Sequence, residues 1–175
     1  MIRKSKQTDL EKIAKLMHKS FSSEVESNLV RKLFSGEDIL VNLVYQSQDQ
    51  ILGNIIISKT KMYPDVGLFC VGVGPLAVRP SHQFKGIGSQ LMKAAIIECR
   101  NLGVDALFVL GDPTYYKRFN FEVSKISSDY NAANFQELQL KSNCLSDLKA
   151  KIVMQMPFLL FNKPVNAWFA CRVLK

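Results

Sequence analysis

The chain has 175 residues, 47% of them hydrophobic and 22% charged, with a net charge of +8. That is the composition of an ordinary soluble globular protein, long enough to bury a core that needs no disulfide staples. It contains no apolar run long enough to cross a bilayer, and its basic start, MIRKSKQTDLEK, lacks the apolar stretch of a secretory signal, so a membrane protein is excluded and the cytosol is expected.

Residues 2–6 predict a short first strand. Thr8 or Asp9 should then cap a helix whose Leu10, Ile13, Leu16 and Met17 fall at helical spacing. Residues 27–34 repeat the pattern with Leu29, Val30, Leu33 and Phe34, and Gly36 stands at the expected C-cap. Residues 39–46 and 51–59 read as the two strands of a hairpin around the turn SQDQ. The stretch KMYPDVG reads as a loop. Residues 66–78 are apolar and β-branched enough for a central strand, but Pro75 cannot donate to a ladder, so pairing must break or bulge at GPL. Residues 88–101 are amphipathic, with Leu91, Met92, Ala95, Ile96 and Cys99 on one stripe and Gly103 as the stop. Residues 106–110 form a short buried strand, GDPTYYKRF starts as a turn and continues as a short helix, and NFEVS returns as a strand. Beyond Tyr130 the pattern weakens to candidate strands at 135–140 and 168–174. The order β-α-α-β-β-β-α-β-α-β describes one α/β domain over 1–175, with a mostly antiparallel sheet and a strand–helix–strand unit in its middle.

The positive charge allows three kinds of partner: nucleic acid, an acidic protein or a polyanionic cofactor. Lys12, Lys15 and Lys19 read as a solvated helix face, and no arginine-rich run or aromatic–basic alternation suggests an RNA platform. Cys70, Cys99, Cys144 and Cys171 are widely spaced, with no C-x-x-C pair, and His18 and His82 lie far apart. Neither a zinc site nor another metal site is expected, and the cysteines read as buried free thiols.

The stretch VRPSHQFKGIGSQLMKAAIIECR carries the chemistry. No match to the P-loop pattern exists. GVGPLA, 72–77, has the letters of a dinucleotide fingerprint, but Pro75 and the strand after it leave no helix to receive a phosphate. QFKGIG, 83–88, instead fits Q/R-x-x-G-x-G/A after a strand and at the mouth of a helix. The first N–H groups of a helix have no internal acceptor and lie at the positive end of its dipole. Gly86 and Gly88 clear side chains from that end so that a pyrophosphate can approach the backbone, and Lys85 adds charge at the rim. The alternative is a turn that needs glycine for its backbone angles alone.

In these residues the sequence resembles the GNAT superfamily of acetyl-CoA-dependent N-acetyltransferases. GPLAVRPSHQFKGIGSQLM, 74–92, is similar to the superfamily's central motif, and LGDPTYYKRFNFE, 110–122, is similar to the following strand and helix in the form found in the YhbS-like subgroup. The resemblance covers about 1–122, and the distal third matches poorly. It implies a mixed, mostly antiparallel sheet flanked by helices, with a bulged central strand splayed into a V-shaped acetyl-CoA cleft. It implies that the backbone of Leu76, Ala77 and Val78 bonds the pantetheine arm. The loop of Gln83, Phe84, Lys85, Gly86, Ile87, Gly88 and Ser89 would cradle the pyrophosphate, and the break at Gly74 and Pro75 would be the bulge. Tyr116 stands where the family's Y-x-x-x-G-F tyrosine acts as general acid toward the departing CoA thiolate. Asn120 replaces the glycine, a residue that tolerates a left-handed backbone. The implied reaction is direct attack of an amine acceptor on the thioester in a ternary complex, with N–H groups near Val78 polarising the carbonyl.

Several residues keep two readings. Tyr115 can fill a core role beside Tyr116. The strand 68–73 carries no carboxylate to act as base; Asp65 and Asp112 read better as a turn and a helix cap, leaving a water-relayed base or none. His82 reads as a loop histidine. Phe135, Phe158, Phe161 and Trp168 read as core, with an acceptor pocket as the alternative. The missing strand carboxylate favours a second function, a non-catalytic acyl-CoA-binding regulatory protein, and charge alone would suggest an RNA- or ribosome-associated module. The acceptor is not legible, and a homodimer is left open.

Overall fold

A computed structural model describes residues 1–22, 24–129 and 133–154. Among them eight strands and four α-helices follow one another: β1 (Ile2–Lys4), α1 (Leu10–Phe21), α2 (Glu24–Ser35), β2 (Ile39–Ser47), β3 (Gln50–Tyr63), β4 (Cys70–Val78), α3 (Ile87–Asn101), β5 (Ala106–Leu110), α4 (Pro113–Tyr116), β6 (Glu122–Val123), β7 (Phe135–Gln139) and β8 (Lys151–Met154). The sheet runs β1-β2-β3-β4-β5-β7-β6, with β8 added to β3. Only β4 and β5 pair in parallel, the two strands that α3 joins; the other pairings are antiparallel. This is the mixed sheet the sequence suggests.

Helices cover both faces because alternate strand residues point to opposite sides. On one face α3 lays down the expected stripe: Leu91, Met92, Ala95 and Cys99 are each 0% exposed, over Ile55 and Ile57 of β3, Val71 and Val73 of β4 and Leu107 of β5. Burying each leucine- or methionine-sized side chain is worth about 1.5–3 kcal/mol. On the other face the core is divided. One apolar body lies under α1 and α2, with Ile56 and Ala77 as its floor. A second lies under the chain from β7 onward, with Met62, Cys70, Phe108 and Phe135.

The differences from expectation have local causes. β3 runs on through Tyr63, into the stretch read as a loop, because it changes partner: it pairs with β4 as far as Lys59 and with β8 from Thr60. β4 starts at Cys70 and not at 66. The Asp65 carboxylate accepts the N–H of the left-handed Gly67, and the Phe69 N–H donates to Asp105, so these residues turn out of the sheet. Asp9 occupies the N-cap of α1, but its side chain does not cap that helix. The carboxylate accepts two bonds from the Arg3 guanidinium, at 2.7 and 3.0 Å, and the Lys6 N–H at 2.8 Å. The arginine holds the Asp9 carboxyl below the usual carboxylate range. Gly36 closes α2 by donating its N–H to Leu33 without adopting a left-handed backbone. β6 keeps only two residues of NFEVS. The strand expected at 168–174 and Cys171 lie outside the described residues.

Candidate active site

The break expected at Pro75 is a bulge. Ile55 pairs with Leu76 and Ile57 with Val73, so Gly74 and Pro75 together face Ile56. The extra residue changes the alternation along β4. Val71 and Val73 face α3 below the bulge, and Leu76 and Val78 face it above, while Ala77 joins the cluster under α1 and α2. The parallel ladder with β5 covers Cys70, Val71 and Gly72 and stops there. From Val73 onward β4 keeps β3 on one flank and diverges from β5 on the other. The result is a V whose two arms end at the C-terminal ends of parallel strands.

The glycine loop follows directly from the upper arm. Leu76, Ala77 and Val78 are 3%, 1% and 1% exposed, so their side chains anchor the arm in the core. The Val78 carbonyl is already engaged: Ser20 Oγ and Gln83 Nε2 donate to it, each at 3.1 Å. Gln83 thus ties the loop back to the strand. Phe84, 65% exposed, takes a left-handed backbone (φ 62°), a conformation that costs a bulky residue about 1–3 kcal/mol and concentrates at functional loops. Gly86, at φ 78°, is the N-cap of α3 and offers no side-chain cap, and the first helical bond is Gln90 N–H to Gly86 O at 3.0 Å. The N–H groups of Ile87, Gly88 and Ser89 precede that bond and have no acceptor within the helix. Ile87 and Gly88 are buried, Ser89 half-buried and Lys85 exposed.

Two glycines outside the motif shape this site, and both escaped the sequence reading. A Cβ on Gly53 would come within 2.8 Å of Leu91 and 2.9 Å of Ile87, so Gly53 lets the first turns of α3 rest on β3. A Cβ on Gly111, just past β5, would collide with the Tyr116 ring. Gly111 is held from both sides: its N–H donates to Asn134 O and its carbonyl accepts Gln136 Nε2. A lone glycine beside a strand signals close approach only once its neighbour across space is known.

Tyr116 is 3% exposed and packs edge-on against Tyr115 and Phe121, with ring centroids 5.0 and 5.6 Å away. Tyr115, 0% exposed, is deeper, with the Arg118 guanidinium over its ring. Both rings belong to the α3-side core, so burial alone does not separate the two tyrosines. Asp112 is the helix cap: Oδ1 accepts the Thr114 N–H and hydroxyl, each at 2.7 Å. Asn120 adopts the left-handed backbone expected of it, at φ 66°.

The other candidates fall in place as structural residues. Asp65 serves its turn, and His82 sits in the loop with Nδ1 2.9 Å from Ser81 Oγ. Phe135 is 1% exposed and stacks on Phe108 at 5.6 Å, a core position; Phe158, Phe161 and Trp168 lie outside the described residues. Cys70 and Cys99 are free and buried, and burial pushes both thiols up to about 12, which removes them as nucleophiles at neutral pH. Cys144 is free and half-buried. Lys12, Lys15 and Lys19 are exposed along α1, as a solvated face requires. No described helix is long and apolar enough to cross a membrane.

Comparison with known proteins agrees with this geometry. Residues 1–124 match the family model described as an acetyltransferase (GNAT) domain. The uncharacterized N-acetyltransferase YhbS of Escherichia coli K12 is 31% identical over 110 residues, which is 62% of this chain and 65% of YhbS. YjhQ of the same strain, also an uncharacterized N-acetyltransferase, is 28% identical over 118 residues, 66% of this chain and 65% of YjhQ. The chain therefore spans 65% of the length of these curated relatives. Among solved structures, E. coli YhbS in complex with CoA superposes with a TM-score of 0.81 at 26% identity, over 87% of each chain. A GNAT family acetyltransferase from Brucella melitensis in complex with acetyl-CoA gives 0.70 at 28% identity, over 80% of this chain and 87% of its own.

Proposed function

Because the chain belongs to the GNAT acetyltransferase family, we propose that it is an N-acetyltransferase, transferring the acetyl group of acetyl-CoA to an amine. The observation that carries this reading is a helix N-terminus opened by a left-handed glycine at the end of a strand that has lost one partner. The V offers an extended ligand a free strand edge, and the loop offers its phosphates unpaired N–H groups.

In this reading the backbone of Leu76, Ala77 and Val78 holds the pantetheine arm. Gln83, Phe84, Lys85, Gly86, Ile87, Gly88 and Ser89 surround the pyrophosphate, with Lys85 supplying a rim charge. Acetyl-CoA, when bound, supplies an activated acyl carbon with a thiolate leaving group. The chain's own work is to align the two reactants and to manage protons. An alkylamine with a pKa of about 10.4 must lose a proton before it attacks, at a cost of roughly 4–5 kcal/mol at pH 7. The Tyr116 hydroxyl is assigned to protonate the leaving sulfur, whose parent thiol has a pKa of about 8.5 and needs only modest help. The family resemblance is what singles out Tyr116 over Tyr115. The residues 1–175 act as one domain in this reading, in the cytosol, where thiols such as Cys70 and Cys99 stay reduced.

The test is release of CoA from acetyl-CoA over a panel of primary amines, with acetyl-CoA affinity measured in parallel. Turnover with at least one amine supports the reading. Tight acetyl-CoA binding without turnover on any amine would replace it with a non-catalytic acyl-CoA-binding role.

A further inference from the structure

A glutamine is buried in the apolar face under α3. Gln136, on β7, is 1% exposed and pairs with Val109 of β5. Its neighbours in that ladder set its direction. Leu107, Val109 and Leu138 belong to the cluster under α3, and Leu110 and Phe135 to a body on the other face, so alternation turns Gln136 to the α3 side. An amide among apolar side chains is costly unless its polar atoms are bonded. Gln136 Nε2 donates to Gly111 O at 3.0 Å and to Asn134 O at 3.3 Å. These bonds carry the β5–β7 ladder past its last pair, Leu110 with Phe135, to a residue whose own N–H already donates to Asn134 O at 3.0 Å.

Gly111 is the seat of the Tyr116 ring. A Cβ built on Gly111 would collide with Tyr116 Cε2 and stand 3.1 Å from Cδ2 and 3.4 Å from Cζ, and these three are its nearest atoms. The edge of the ring that ends at the hydroxyl-bearing carbon therefore lies on the bare Cα of Gly111. The next residue starts the helix that carries the ring: the Asp112 carbonyl accepts the N–H groups of Tyr115 at 3.0 Å and of Tyr116 at 3.2 Å. The Gly111 carbonyl and the Asp112 N–H share one peptide plane, so a bond to that carbonyl orients both the seat and the turn after it. Gly111 directly follows β5, the second arm of the V.

We propose that Gln136 is a positioning residue for acetyl transfer. By holding the Gly111 carbonyl it fixes the seat of the Tyr116 ring, and with it the point from which the Tyr116 hydroxyl reaches the leaving sulfur. The inference rests on the acetyltransferase reading and on Tyr116 as its acid, and the test separates the three. A general acid works only within hydrogen-bond reach of the atom it protonates, so a small displacement of its ring costs rate without costing cofactor affinity. A glutamine that merely satisfies a buried carbonyl would contribute the same stability and leave the rate to other residues.

The experiment is a double-mutant cycle in steady-state turnover of acetyl-CoA with the primary amine that wild type uses fastest. Gln136→Met keeps the length of the side chain and removes its donor. It lowers kcat about tenfold and leaves acetyl-CoA affinity within about twofold. In the Tyr116→Phe background the same change leaves kcat within about twofold, while the melting temperature falls equally in both backgrounds, because the unbonded Gly111 carbonyl costs the same under either ring. Should Gln136→Met fail to fold, Gln136→Asn, which keeps the amide but falls a methylene short of Gly111, takes its place in the cycle. Gly111→Ala keeps the Gln136 bond, puts a methyl against the ring and follows the same pattern. An unchanged kcat in the Gln136 variant, or equal losses in the two backgrounds, reduces Gln136 to a structural amide and overturns the assignment. A wild-type rate in Tyr116→Phe removes the acid and the positioning role with it, while the turnover itself keeps the acetyltransferase reading. If wild type turns over no amine, that reading fails, and the seat is judged by ¹³C NMR of protein labelled at tyrosine Cζ and saturated with CoA. The Tyr116 resonance is assigned by its loss in Tyr116→Phe. A displacement of that resonance in the Gln136 variant, larger than that of Tyr115, sustains the seat; one no larger, or none, overturns it.

Discussion

The two faces of the sheet are built on different principles. The α3 face is one continuous apolar cluster from β2 to β5, into which both Tyr115 and Tyr116 are packed. The opposite face is two apolar bodies with Ser58 and Thr60 between them on β3. Close packing makes the first face intolerant of added volume. The second tolerates polar groups that a folding argument alone would remove. β4 takes part in both: Val71, Val73, Leu76 and Val78 belong to the packed face, and Cys70 and Ala77 to the two bodies of the other.

The largest expected effect is chemical and probes whether the packed face does more than pack. Tyr116→Phe keeps the ring between Tyr115 and Phe121, and kcat should fall about 10²–10⁴-fold with acetyl-CoA affinity nearly unchanged. Tyr115→Phe serves as the control, with a rate near wild type. Equal steady-state rates for wild type and Tyr116→Phe would reduce Tyr116 to core. Next comes Gly53→Val, which forces a side chain between β3 and α3. Overpacking of this kind costs about 1–3 kcal/mol, read as a lower melting temperature, and acetyl-CoA binding should weaken with it as the first turn of α3 is displaced. A variant with wild-type stability and affinity would mean the helix shifts without consequence.

Gly86→Val tests the loop itself. A β-branched residue at φ 78° costs roughly 1–2 kcal/mol, so acetyl-CoA affinity should drop about tenfold on titration. Lys85→Ala, which removes an exposed and screened charge, should cost less than half of that in free energy. The reverse order would make the site a charge patch and not a backbone cradle. The smallest effect concerns the outer edge. Asp9 has a depressed pKa in the fold, so its pairing with Arg3 contributes stability that is fully present above the unfolded carboxylate value of about 3.9 and is lost as pH falls through the lower folded value. Between pH 5 and 8 this pair should leave the melting temperature flat. Asp9→Asn should lower the melting temperature across the neutral plateau and flatten the acid limb of a pH–stability curve, the two curves converging at low pH.

Legibility followed the range of the interactions. The α3 stripe, the hairpin, the bulge at Pro75 and the loop 83–88 are written in adjacent residues, and each is where the sequence suggests. So are the Asp112 cap and the left-handed Asn120, because a cap and a turn are settled within a few residues. Gly53 and Gly111 were invisible for the opposite reason: what makes them necessary is Leu91 and Ile87 in one case and Tyr116 in the other, which only folding brings near. β8 is four residues long and exists because β3 overruns β4, so no periodicity could announce it.

The doubled residue opposite Ile56 has an arithmetic consequence. Side chains on a strand alternate with period two, so the bulge works as a frame shift written into the polypeptide: everything after it is read one place out of phase with everything before. Removing a single residue from Gly74–Pro75 would leave Ile57 opposite Val73 and Ile55 opposite Leu76, so Leu76 and Val78 would still face α3 and only the bulge would be lost. A one-residue change anywhere else in this strand would turn every side chain beyond it to the opposite face, so the bulge is the single place where the count can change by one.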